Sequence, residues 1–171
     1  MRWSFRGFLL LCLIVLSIDC NTRIQGQLST EPIVWVTGAM ERIGQTQSPG
    51  QDRSIMLHAA RGEYEAFQIG VHAPITAVTL TDLSVSDLVS AQGARIPAAN
   101  ITLYREYYVY VSRLGPTWGG SNRTLGTGWY PDALIPFVDP QTGLPPAESA
   151  MRALPVEVPT GQNQPFWVDL F

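Results

Sequence analysis

Short segments in which apolar and polar residues alternate dominate the chain from about residue 28 onward. An alternation with a period of two is typical of β-strands that bury one face. The only helical pattern is a single turn over residues 87–92, which Gly93 and Pro97 end. The pattern predicts strands over residues 33–37, 55–59, 64–73, 78–86, 101–112 and 165–171.

Glycine and proline separate these segments, with 15 Gly and 13 Pro in 171 residues. Short strands punctuated in this way predict an all-β fold, an immunoglobulin-like or jelly-roll-type β-sandwich. Residues 114–150 are richer still in Gly and Pro and are long for a connection inside one domain. We interpret them as a loop, and loops of that length are often functional or partly disordered.

The first 26 residues are typical of a secretory signal segment. Arg2 and Arg6 precede an apolar run of eleven residues, 8–18, which is too short to span a bilayer comfortably. Cys20 is a candidate lipidation site of the bacterial lipoprotein type, although Asp19 stands where such sites have a small residue. We therefore predict an exported protein, periplasmic, extracellular or lipid-anchored, with a β-sandwich domain over residues 27–171.

Composition and residue spacing exclude several function classes. The formal net charge of −3 provides no basic field for nucleic acid, and contact with a membrane is predicted only through the signal segment or a lipid anchor. His58 and His72 have no further ligands at metal-binding spacing, so we predict neither a metal nor another cofactor. No nucleophile elbow is present, and we predict no catalytic residue in this chain.

Charged residues precede the apolar strand positions of residues 67–71 in the same alternating phase. Arg61, Glu63 and Glu65 all share this inward phase. Charges on an inward phase must be paired, so we expect an ion-pair cluster at the edge of the sandwich, with Arg61 or Arg105 as the cation. The alternative is a catalytic carboxylate pair, because Glu63 and Glu65 on one strand would lie about 6.6 Å apart, within the range used by glycosidases.

Aromatic residues raise a second possibility. Trp118, Trp129 and Tyr130 lie in the Gly-rich segment, and exposed rings can stack on the faces of sugars. These three residues are therefore candidate carbohydrate contacts. The alternative is that these rings pack on the sandwich or on a neighbouring domain.

The order of four segments resembles a known family. These segments are AARGEYEAFQIGV, SVSDLVSAQGARIPAANITLYREYYVYV, GWYPDALIPF and VPTGQNQPFWVDLF. Together they are similar to the N-terminal β-sandwich domain of exported bacterial proteins of the glycoside hydrolase family 123 type, the β-N-acetylgalactosaminidases and their wider relatives. The family pattern Arg-x-Glu-x-x-x-Phe-Gln is matched by Arg61, Glu63, Phe67 and Gln68, with Gly62 where Asn is usual.

The resemblance implies a structural role for this motif, with an ion pair at the edge of the sandwich and Phe67 in the core. It also implies a catalytic barrel as the partner domain, and the family's catalytic acids lie in that barrel, outside this chain. We therefore expect a C-terminally truncated, non-catalytic module that supports a barrel, in which missing strands leave an unpaired sheet edge. The alternatives are a carbohydrate-binding module and a surface protein-interaction domain.

Overall fold

The computed structural model describes residues 30–113, 126–147 and 152–171, and within them nine β-strands alternate with turns and one short 3-10 segment, Ala98–Asn100. The strands are β1 Ile33–Gly38, β2 Glu65–His72, β3 Val78–Leu80, β4 Leu88–Val89, β5 Arg95–Ile96, β6 Ile101–Val111, β7 Gly128–Pro136, β8 Val156–Val158 and β9 Asn163–Leu170.

Five of the strands form one antiparallel sheet in the order β1-β2-β9-β6-β7. Two small sheets, β3-β8 and β4-β5, pack over one face of it and complete the β-sandwich. The C-terminal strand β9 is central, because it pairs with β2 on one side and with β6 on the other. The two edges of the large sheet are therefore β1 and β7.

The core lies between the large sheet and the two small ones. Alternation places Phe67 and Ile69 of β2 on the same face as their partners Val168 and Phe166 of β9, and all four are essentially inaccessible to solvent. The small sheets and their connections contribute the facing layer, which consists of Leu80, Leu83, Leu88 and Val158. Burial of these apolar side chains is the main source of the stability of the domain.

The opposite face of the large sheet is covered in part by residues 39–52, which we call the covering loop. The indole of Trp35, on β1, lies between the backbones of Gly50 in this loop and Gly70 on β2. Tyr108 on β6 donates from its hydroxyl to the carbonyl of Ile43 at 2.9 Å. The loop is thus attached to the sheet by ring packing as well as by hydrogen bonds.

The side-chain amides of Gln68 and Asn163 provide further attachments. Gln68 Nε2 donates to the carbonyls of Gly38 and Glu41, at 3.0 and 2.7 Å. Asn163 Nδ2 donates to the carbonyls of Gly44 and Gln47, at 2.7 and 2.9 Å. Loop carbonyls that are withdrawn from water need such donors, because an unsatisfied buried acceptor is costly.

The predicted all-β sandwich is confirmed, and the strands predicted over residues 33–37, 64–73, 101–112 and 165–171 correspond to β1, β2, β6 and β9. The strand predicted over residues 55–59 is wrong. Ile55 and Leu57 do pack against the core, but their backbone joins no ladder. The helical turn predicted over residues 87–92 is also wrong, because these residues begin the β4-β5 hairpin.

Strand β7 lies inside the segment that the sequence predicts to be a loop. Its sequence, GWYPDALIP, contains Pro131 and Pro136, which remove two backbone donors and argue against a strand. Proline is tolerated at this position because β7 is an edge strand. A register shift opposite Tyr107 and Tyr108 accommodates one extra residue of β7.

Candidate functional site

An open groove of about 260 Å³ lies beside the middle of β6 and the start of β9, next to β8 and the residues that follow β8. Its walls come from four separate parts of the chain, namely the covering loop, the middle of β6, the start of β7 and the segment from β8 to β9. The lining residues are Gln45, Arg105, Tyr107, Tyr108, Trp129, Val156, Glu157, Val158, Pro159, Gln162, Asn163 and Gln164.

Two aromatic side chains on the groove wall remain accessible. Trp129 is 50% exposed and Tyr107 is 48% exposed. The Trp129 ring lies against Tyr110, with 5.1 Å between ring centroids and 59° between ring planes, so one aromatic ring supports the other. An indole that is held in place by a neighbour but half open to solvent has a free apolar face for a ligand.

Amides and a carboxylate stand beside these rings. The side chains of Gln45 and Gln162 make no hydrogen bond within the described ranges. The side-chain amide of Asn163, in contrast, has all its hydrogen-bonding groups occupied, by the covering loop and by His72, whose Nδ1 lies 2.8 Å from Asn163 Oδ1. Gln164 donates to the carbonyls of Glu106 and Pro165, both at 2.8 Å. Glu157 is exposed on the β8 wall. The groove therefore offers donors and acceptors as well as an apolar surface.

Arg105 is the only cation among the residues that line the groove. Its guanidinium lies 5.5 Å from the centroid of the Tyr107 ring, a cation–π contact. Nε is buried without a hydrogen-bond partner. Burial lowers the pKa of Arg105 below its ordinary value, and no carboxylate of the described residues pairs with it.

The neighbouring residue Glu106 lies on the other face of β6. It is only 5% exposed, and its Oε1 is buried without a hydrogen-bond partner. Burial raises the pKa of Glu106 to about 7. The pKa of Tyr108 is also raised, first by burial and then by the negative charge of Glu106. Glu106 itself does not line the groove.

The structure corrects the ion-pair cluster expected at residues 61–65. Arg61 and Glu63 are exposed, and no ion pair among the described residues joins Arg61 or Arg105 to either glutamate. The alternating phase stops at a turn, because Gly62 has φ of +80° and β2 begins only at Glu65. Glu63 accepts a hydrogen bond from the Ala60 amide at 2.9 Å, while its own amide donates to the Ala60 carbonyl at 3.3 Å.

The other residues of the motif belong to the scaffold. Phe67 is a core residue, and Gln68 anchors the covering loop. Glu63 and Glu65 line neither the groove nor a second concavity of about 200 Å³ beneath the covering loop. The geometry therefore gives no support to a catalytic pair at these two positions.

The aromatic candidates are placed differently from one another. Trp129 lines the groove, but Tyr130 does not: its hydroxyl donates to the Gly126 carbonyl at 3.0 Å, and Arg42 lies over its ring at 5.2 Å. Trp118 and Cys20 lie outside the described residues. Sequence reasoning missed Tyr107, Gln45, Glu157 and Gln162 as site residues, and no local motif marks them.

The described ranges contain no group of three or more His, Cys, Asp or Glu side chains placed to hold a metal ion. Within the same ranges, no helix has the length and apolar character that a membrane span requires.

Two comparisons, with protein families and with curated proteins, give no match. No protein-family model matches the chain, and no curated protein matches its sequence. The groove and its residues are therefore the basis on which a function can be argued.

Proposed function

We propose that this chain is a non-catalytic β-sandwich module of an exported, glycoside-hydrolase-like protein, and that it contacts carbohydrate through the groove between β6 and β8. The observation that carries the proposal is Trp129, half exposed on the wall of a groove that also presents unpaired amides. Apolar C–H faces of a sugar ring pack on an aromatic face, while its hydroxyls require donors and acceptors nearby.

The dimensions of the groove favour a short contact. Its volume of about 260 Å³ is below the roughly 300–1,000 Å³ of pockets that enclose a drug-sized molecule. It therefore suits one or two sugar units at the end or along the side of a glycan. A site of this size holds its ligand by a few contacts, so we expect moderate affinity that depends strongly on the single large ring of Trp129.

The experiment is isothermal titration of the full chain against a panel of chitin-type, galactosamine-containing and plant-type oligosaccharides. Trp129→Ala is expected to weaken binding at least about tenfold, the equivalent of roughly 1.4 kcal/mol. Tyr64→Ala is the matched control, because Tyr64 is an exposed ring that stacks on Phe171 at 4.7 Å and does not line the groove. Absence of binding across the panel, or equal losses in both variants, would refute the carbohydrate role.

A second candidate, support of a catalytic barrel, is favoured by a different observation. Several large apolar side chains near the β6–β7 edge remain exposed, and exposed apolar surface of this kind often marks a contact with another domain. They are Tyr107, Val109, Tyr110, Trp129, Leu134 and Val138. If the gene encodes a barrel, deleting this module should lower the unfolding temperature of the barrel, and an unchanged barrel would exclude the support role.

A further inference from the structure

We propose that the groove recognises a saccharide that carries a carboxylate, such as a uronic acid unit, and that Arg105 is the group that binds this carboxylate. The inference rests on the proposed carbohydrate function and names the class of sugar. Arg105 lies on the groove wall beside the accessible ring of Tyr107.

Arg105 is a half-buried cation whose charge is not balanced within the described part of the chain. It makes no ion pair there, its only charge-related contact is the Tyr107 ring, and Nε has no acceptor. An unpaired guanidinium that is partly withdrawn from water raises the free energy of the unliganded molecule. A carboxylate is the natural complement, because its two oxygens match the planar N–H fork of arginine.

The position of Arg105 follows from the strand order. Successive residues of β6 point to opposite faces of the sheet, so Arg105 shares the core face with Leu103, while Tyr104 and Glu106 lie on the other face. Its partner on β9 is Phe166 and its partner on β7 is Ile135, both buried apolar residues. The guanidinium does not belong to the apolar core formed by these partners, and Arg105 reaches the groove, which it lines.

The negative charges near the groove limit how the ligand can bind. Glu157 stands exposed on the β8 wall, and the whole chain has a net charge of −3. Long-range electrostatic attraction therefore does not bring an anion to this surface, and recognition must be local. The ligand carboxylate is expected at Arg105, with uncharged hydroxyls toward Glu157, which makes the site selective for one acidic group rather than for a polyanion.

The neighbouring rings favour a sugar over an acidic peptide. Tyr107 and Trp129 are both about half exposed, and both line the groove. A flat ring that stacks on an aromatic face while its carboxylate reaches the guanidinium satisfies both features of the wall.

The test compares each acidic glycan with a matched neutral form. The full chain is titrated with an oligosaccharide that carries a single uronic acid unit and with the methyl ester of the same oligosaccharide, and a short glutamate peptide is the third probe. We expect the acid to bind at least about tenfold more tightly than the ester at low salt, with the advantage falling as salt is raised. Equal or tighter binding of the ester would overturn the carboxylate inference and leave the carbohydrate role intact.

Two other outcomes are also decisive. If neither glycan nor any other sugar binds, the proposed function fails together with the inference. If the glutamate peptide binds as tightly as the acidic oligosaccharide, the assignment to a saccharide is overturned.

Variants of Arg105 locate the effect. Arg105→Gln should abolish the preference for acid over ester while ester binding stays within about twofold, and Arg105→Lys should restore part of the preference because it retains the charge but not the fork. Arg53→Gln is the control, since Arg53 is exposed and does not line the groove. The ratio of the two affinities within one variant is insensitive to a loss of folded protein, so a preserved acid preference in Arg105→Gln would contradict the proposal.

Discussion

The indole of Trp35 occupies the space that a side chain at Gly70 would need. The two residues are direct partners across β1 and β2, and a Cβ placed on Gly70 would overlap the six-membered ring of Trp35. The same indole leaves no space at Gly50 of the covering loop. One large ring thus links the sheet to the loop, and it requires glycine on both sides.

Gly70→Ala is therefore expected to destabilise the protein by about 1–3 kcal/mol, because the indole must move or the strands must separate. Gly38→Ala is the matched control on the neighbouring strand, where a Cβ would meet no atom within 4 Å. Urea denaturation of both variants measures the difference. Similar midpoints for Gly70→Ala and the unmodified protein would show that Trp35 does not constrain the sheet.

The buried carboxyl of Glu106 predicts a dependence of stability on pH. Its pKa rises from 4.5 to about 7 on folding, so folding favours the protonated form. The contribution of Glu106 to the stability of the folded protein is complete when the pH lies below the pKa of this group in the unfolded chain, and it is lost as the pH rises through 7. Glu106→Gln stays neutral at every pH. The stability difference between this variant and the unmodified protein should therefore shift in favour of the variant by up to roughly 2 kcal/mol between about pH 5 and about pH 8.

Thermal unfolding at both pH values tests this expectation. Glu41→Gln is the control, because the side chain of Glu41 is exposed. If Glu106→Gln and the unmodified protein show the same change in unfolding temperature with pH, then folding does not raise the pKa of Glu106 and the prediction is wrong.

Asn163 is expected to hold the covering loop in place. Asn163→Ala removes the donors to Gly44 and Gln47 and leaves two loop carbonyls without them, at a cost of about 1–3 kcal/mol. Hydrogen exchange should accelerate in residues 39–52 and remain slow in β2 and β9. Gln51→Ala, at an exposed position of the same loop, provides the control, and equal exchange in the two variants would contradict the role of Asn163.

The long strands could be predicted from the sequence because their signal is local and continuous. In β2, Phe67, Ile69 and Val71 alternate with smaller or polar residues and all lie in the core. Before β2, the same alternation does not show which residues are buried. Gly62 reverses the chain, so Arg61 and Glu63 share a phase with the core residues in sequence but not in space. A period of two has meaning only while the backbone stays extended.

The groove could not be predicted from the sequence for a different reason. Gln45, Arg105 and Glu157 are separated by more than fifty residues at each step, and each is unremarkable in its own segment. Only Trp129 carried a local signal, as an aromatic residue among glycines. Strand pairing that involves β7 and β8 brings these residues together. Neither strand is recognisable in the sequence, because β7 contains two prolines and β8 has only three residues.

The two outer strands of the large sheet limit how the molecule can meet another chain. On β7, Pro131 and Pro136 lack amide hydrogens, and on β1 the amide of Val36 is already bonded to the Asp52 carbonyl at 2.9 Å. Neither margin offers an unbroken row of backbone donors on which a foreign strand could extend the sheet. Extension of the large sheet by a second copy of the chain at β1 or β7 is thereby disfavoured.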